Sequence, residues 1–177
     1  FCYGHHKYSI ESVLEKGFSG IREFINGRLK EDALSDEQIA FYENGRIICD
    51  GIERLTGRIK DFLRGEAEKC LDEKRKKEIL CMADNFEKIP MQPACTFYQA
   101  VQTVWFLQFI NSNICGARDY AFGSMDQYLY PYYRRDIDKG ILTKKFAFEL
   151  MENLFIKMNE TIGTSVWFNH PKRTLAN

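Results

Sequence analysis

The sequence predicts a mainly helical chain with only short strands, and three observations carry that expectation. Apolar residues recur at three- and four-residue spacings over long windows, two Ser/Thr-x-x-Gln boxes stand in front of such windows, and the prolines fall largely between them. The expected helix content therefore exceeds the roughly one third typical of globular proteins.

From Ser9 to Leu29, Val13, Leu14, Phe18, Ile21 and Ile25 form one apolar stripe, with Gly17 and Gly20 as points where a helix could pack closely. Ser35 to Gln38 reads as a capping box opening a second helix, in which Ile39, Ile48, Ile52, Leu55, Ile59 and Phe62 keep the helical period towards Cys70. Asp72 to Glu87 is highly charged, with Ile79, Leu80, Met82, Ala83 and Phe86 on one side, so its lysines are read as solvated. Pro90 and Pro93 lack an N–H and restrict the residues before them, which makes 89–94 a loop.

Thr96 to Gln99 is a second box. The helix behind it, with Val101, Val104, Trp105, Leu107, Phe109 and Ile110, is apolar almost all round and is expected to be the most buried, with Trp105 at its centre. Residues 111–124 carry two glycines and an Arg118-Asp119 pair with little periodicity, which reads as an irregular connection. The run Tyr128, Tyr130, Tyr132 and Tyr133 surrounds Pro131; these rings are read as packing groups whose hydroxyls bond nearby backbone. Thr143 is placed as the N-cap of a last helix that buries Phe146, Leu150, Leu154 and Met158, followed by a tail holding Trp167 and Phe168.

The 177 residues, 45% of them hydrophobic, suffice for a globular core, and 25 basic against 25 acidic side chains give no net charge. Nucleic acid is therefore not an expected partner, since nothing supplies the attraction to phosphate. No stretch approaches the roughly 20 apolar residues of a membrane span, so no membrane role is expected either. The six cysteines include no C-x-x-C pair, which argues for no metal site and for free thiols in a reducing cytoplasm. The opening Phe1-Cys2-Tyr3-Gly4-His5-His6 has neither an initiator Met nor a signal-peptide pattern, and the chain is expected to begin mid-gene.

Three segments then matter by their order: Gly4-His5; Pro90-x-x-Pro93-Ala94-x-Thr96-Phe97-x-x-Ala100-Val101-Gln102-x-x-Trp105-Phe106; and Gly123-x-x-Asp126-Gln127-Tyr128-Leu129-Tyr130-Pro131-Tyr132-Tyr133, running on through Arg135-Asp136 to Gly140. In this order they resemble the N-terminal half of glycyl radical enzymes of the pyruvate formate-lyase and glycerol dehydratase type, and the likeness covers nearly the whole chain. The resemblance implies a fragment of an α/β ten-stranded barrel, here residues 1–177 of a partial pyruvate formate-lyase-like domain without the catalytic-Cys loop or the glycyl radical domain. It implies a protein-based glycyl radical installed by a radical-SAM activating enzyme, no cofactor in this chain itself, a homodimer when full length, and a cytoplasmic place in anaerobic metabolism.

The resemblance assigns no catalytic residue here. It implies a substrate-binding role for His5, Asp119 and Arg118, whose imidazole, carboxylate and guanidinium would hold a small polar metabolite with one atom towards the radical. Read as residues alone, His5 is equally an exposed side chain, and Arg118 and Asp119 an ion pair or a helix cap. The implied activity is that of a lyase or dehydratase, with a formate C-acetyltransferase-like subfamily or a non-catalytic helical interaction remnant as alternatives. Ser124 stands where many relatives carry Arg, so the resemblance transfers no particular substrate. By itself the chain is expected to catalyse nothing.

Overall fold

The computed structural model describes the backbone of residues 3–7, 9–115 and 118–162 and the side chains of residues 9–115 and 121–160. Trp167 and Phe168, placed in the tail by the sequence, lie outside the described residues. The elements run β1 (Tyr3–Lys7), α1 (Ile10–Arg28), α2 (Asp36–Lys69), α3 (Glu73–Asn85), α4 (Phe97–Phe109), a π-helical turn (Ile110–Ile114), β2 (Arg118–Ala121), α5 (Met125–Asp138) and α6 (Lys144–Ile162). The expected mainly helical character with short strands is what the chain shows. No helix among the described residues is long and apolar enough to cross a membrane.

The chain divides into two compact units, one of residues 12–94 and one of the described residues within 1–11 and 95–177. In unit 12–94, α1 is two helical pieces joined at Gly17, whose φ of 64° lies in the left-handed region. The break exposes backbone groups that the loop before α4 takes up. Phe18 and Ser19 donate their N–H groups to the carbonyls of Pro90 and Met91, both at 2.9 Å, and the freed Leu14 carbonyl accepts from Ala94 N–H at 3.0 Å. The sequence marks Gly17 for close packing of a helix; what approaches it is the backbone of this loop.

Helix α2 starts on the expected box, with Ser35 accepting from Gln38 N–H and the Gln38 side chain accepting from Ser35 N–H. Its buried face differs from the expected stripe. Cys49, Ile52, Thr56 and Ala67 are buried, whereas Ile48 is 59% and Phe62 66% exposed, and Ile39 is exposed too. Spacing identifies residues that share a face, but neighbouring elements choose which of two adjoining apolar faces is covered. Small residues decide it here: a Cβ on Gly45 would stand 3.0 Å from Ile25 Cδ1, so α1 seats against the side of α2 that carries Gly45, Cys49 and Thr56. Helix α3 is capped by Asp72, which accepts from the N–H groups of Lys74 and Arg75; these bonds hold its carboxyl below the usual range.

In the other unit, α4 is the central element and packs against α5 and α6. Ala100, Val104 and Phe106 are fully buried, and Leu129, Leu150, Leu154 and Met158 complete the core around them. The second box is displaced by one residue. Thr96 Oγ1 accepts from Gln99 N–H as expected, but Gln99 Oε1 accepts from Cys95 N–H at 2.8 Å rather than from Thr96. The free end of α4 is instead served from α5: buried Asp136 accepts Phe97 N–H at 2.6 Å and Arg135 Nε at 2.9 Å, while Arg135 Nη2 donates to Cys95 O at 2.6 Å. A carboxylate at a helix N-terminus meets both its free N–H groups and its dipole.

Three further expectations are corrected. Trp105 is only partly buried, and the largest fully buried side chain is its neighbour Phe106. Phe146 is exposed, its ring edge-on to Tyr98, because the buried stripe of α6 begins at Ala147. Tyr128 is buried, but its hydroxyl has no partner among the described residues, and burial pushes its pKa up. Trp105 Nε1 is likewise buried without a partner among the described residues. Trp105→Phe, which removes that N–H and keeps an aromatic plane over Phe109, is expected to change stability by no more than about 1 kcal/mol in urea denaturation, since deleting an unsatisfied donor offsets lost area.

Candidate functional site

The candidate site residues stand on two strands that are far apart in the chain and adjacent in space. β1 pairs with β2 in parallel, Tyr3 opposite Arg118, His6 opposite Tyr120 and Lys7 opposite Ala121. Between the first two pairs, β1 advances three residues while β2 advances two, which is a bulge on β1. Gly4 and His5 therefore share the register position of Asp119. Paired strands lie about 4.8 Å apart, so the backbones of His5, Arg118 and Asp119 are neighbours. The side chains of these residues lie outside the described ones.

The approach to β2 is unusual in its backbone. After Phe109 the α-helical ladder widens, and Cys115 N–H reaches back five residues to Ile110 O at 2.9 Å. Three polar side chains fold back over this turn. Asn111 Nδ2 donates to Leu107 O at 2.8 Å, Asn113 Nδ2 donates to Phe109 O at 3.3 Å, and Gln108 Nε2 donates to Ser112 Oγ at 3.0 Å. Gln108 and Ser112 are both buried, and Gln108 Oε1 has no partner among the described residues. The irregular connection expected over 111–124 is instead this π-helical turn followed by β2, and these residues are not among those expected to matter. The available signal was Asn-Ser-Asn directly after an apolar helix, since such side chains compete with the main chain for hydrogen bonds.

Beyond β2, Gly123 with a φ of 69° turns the chain into α5. Among the described residues no three His, Cys, Asp or Glu side chains converge as metal ligands. An imidazole, a carboxylate and a guanidinium on adjacent backbone positions can donate and accept hydrogen bonds to the hydroxyl or acid groups of a small molecule. Such groups can bind and orient a small polar molecule.

A family model described as pyruvate formate lyase-like matches residues 2–167. The isethionate sulfite-lyase of Bilophila wadsworthia is 36% identical over 163 residues, which are 89% of this chain and 19% of that protein. The trans-4-hydroxy-L-proline dehydratase of Clostridioides difficile is 35% identical over 162 residues, 87% of this chain and 20% of that protein. Among solved structures, one described for 1,2-propanediol dehydration in Roseburia inulinivorans superposes with a TM-score of 0.80 at 30% identity, covering 87% of this chain and 19% of that one. A glycyl radical enzyme from Archaeoglobus fulgidus gives 0.79 at 30%, covering 89% and 21%. The chain thus spans about a fifth of the length of the relatives it matches.

Proposed function

Because this chain belongs to the pyruvate formate lyase-like family of glycyl radical enzymes, we propose that its β1–β2 pair forms one wall of the substrate pocket of an eliminating lyase or dehydratase acting on a small polar metabolite. The observation that carries this reading is the bulged parallel register, which sets Gly4-His5 beside Asp119 across more than a hundred residues of intervening chain. Relatives that split sulfite from isethionate or dehydrate hydroxyproline, at 36% and 35% identity, favour elimination over acetyl transfer.

In this reading His5 holds a substrate hydroxyl, Arg118 balances an acidic group, and Asp119 orients the leaving group and hands it a proton as its bond breaks. The family's glycyl radical supplies, through a cysteine, the hydrogen abstraction that starts the reaction. Residues 1–177 form a partial domain of that enzyme, and the loops bearing the cysteine and the glycine belong to the rest of it. The complete enzyme is a cytoplasmic homodimer activated by a radical-SAM partner. Orientation without a reactive group leaves the chemical barrier unchanged, so the 177 residues alone are inactive.

The test uses the intact polypeptide, activated anaerobically and offered isethionate, trans-4-hydroxy-L-proline, 1,2-propanediol and glycerol. Asp119→Ala is expected to lower kcat/KM by about 10²–10⁴-fold, the range for a lost acid or base, with the glycine-centred electron paramagnetic resonance doublet unchanged. Loss of the doublet would make Asp119 structural. A doublet or product from residues 1–177 alone would overturn the assignment of the chemistry to the rest of the enzyme.

A further inference from the structure

We infer that Gln108 and the Asn111-Ser112-Asn113 triplet are positioning residues, which hold the π-helical turn open and thereby keep β2, with Asp119, in register on β1. A π turn carries one residue more than the α-helical turn it replaces, so reversion to an α ladder would rotate the departing chain by about 100° and shift it about 1.5 Å. From Cys115 to Arg118 is three residues, a tether that reaches at most about 11 Å. So short a connection passes part of that rotation on to β2, along or off β1. The β1 bulge, opposite Asp119, is where a shift in register would first change which residues meet.

The side chains that fold back are what make the wide turn stable. Leu107 O accepts from the side-chain amide of Asn111 as well as from Ile110 N–H, and Phe109 O accepts from the side-chain amide of Asn113, so the carbonyls at the start of the wide turn carry side-chain donors. Gln108 adds a bond from the last regular turn onto Ser112 at the middle of the π turn, inside the core. Apolar residues at these positions would offer nothing in place of the α ladder.

The consequence for turnover rests on the pocket role proposed for Asp119, but the positional inference does not. The test compares Gln108→Leu/Ser112→Ala with Ser112→Thr, which keeps the hydroxyl, by hydrogen exchange on the intact polypeptide. The double variant is expected to exchange the 118–121 amides roughly five- to tenfold faster, the effect of one lost buried hydrogen bond, with the α6 amides unchanged. Ser112→Thr should behave as the parent protein. In activated enzyme, KM for whichever of the four probes is turned over should rise by a similar factor at constant radical content. Unchanged exchange in β2, or equal acceleration everywhere, would overturn the inference. Faster exchange in β2 with no change in KM would uphold it and count against the pocket role of Asp119; if no probe is turned over, exchange alone decides it.

Discussion

Gly17→Ala is expected to destabilise unit 12–94 by about 4–6 kcal/mol, enough to unfold a unit of ordinary marginal stability. Two effects add. The backbone there has a φ of 64° and a ψ of 171°, a region essentially confined to glycine, which a residue with a Cβ adopts at a cost of about 1–3 kcal/mol. The larger effect is steric: the new Cβ would overlap the Met91 carbonyl oxygen and stand 2.7 Å from the carbonyl carbon of Gln92. Backbone, not a flexible side chain, is in the way. Making room displaces the loop that supplies three main-chain hydrogen bonds to the broken helix. Gly51→Ala is the control, because it sits in α2 with nothing within 4 Å of its Cβ position; it is expected to stabilise by about 0.5–1 kcal/mol. Urea denaturation of both variants checks the contrast, and a Gly17→Ala cost below about 1 kcal/mol would show that the loop yields freely.

Asp136→Ala is expected to cost the α4–α5 unit about 3–5 kcal/mol, the range for removing one partner of a buried charged network. Truncation leaves Phe97 N–H without its acceptor at the start of the most buried helix and Arg135 without its carboxylate. Asp136→Asn keeps an oxygen for Phe97 and loses only the charge, so about 1–2 kcal/mol is expected. Equal effects of the two variants would show that charge, not the Phe97 bond, holds the helix end. Thermal unfolding combined with exchange of the α4 amides separates the two cases.

The helices were legible where local chemistry sets them. Ser35 and Gln38 form the box their spacing announces, Asp72 and Thr143 cap as short polar residues do, and the proline loop falls at 89–94. What the sequence could not carry is partner choice between distant segments. The box places Gln99 on Thr96 N–H, but Gln99 serves Cys95 N–H, and Phe97 N–H is served by Asp136, 39 residues away. Likewise the two apolar faces of α2 read alike, and only the approach of Ile25 to Gly45 selects one. For the candidate site, His5 and Asp119 came from the family resemblance, and no periodicity pointed to β1 or β2. The π turn hid because its Asn and Ser residues look like loop in a one-dimensional reading.

The bond between Leu14 and Ala94 also bears on the order in which the chain folds. It joins the first residues of unit 12–94 to its last, so once folded that unit acts on the flanking chain as a short staple. For β1 to find β2 in an open chain, the ends of a loop of more than a hundred residues must meet. Closing the roughly 80 residues of the unit itself accounts for about 4 kcal/mol of that entropy. Contacts within the unit are nearer in sequence and form at smaller cost, so the unit is expected to fold first, with β1–β2 pairing following between segments it has tethered; pulse-labelled hydrogen exchange that protects β1 and β2 no later than α2 would overturn this order. The strand pair that carries the candidate site is in this sense the last part of the fold to be written. Its assembly is in this way tied to a glycine more than a hundred positions away from Asp119, in a unit that carries none of the three candidate residues.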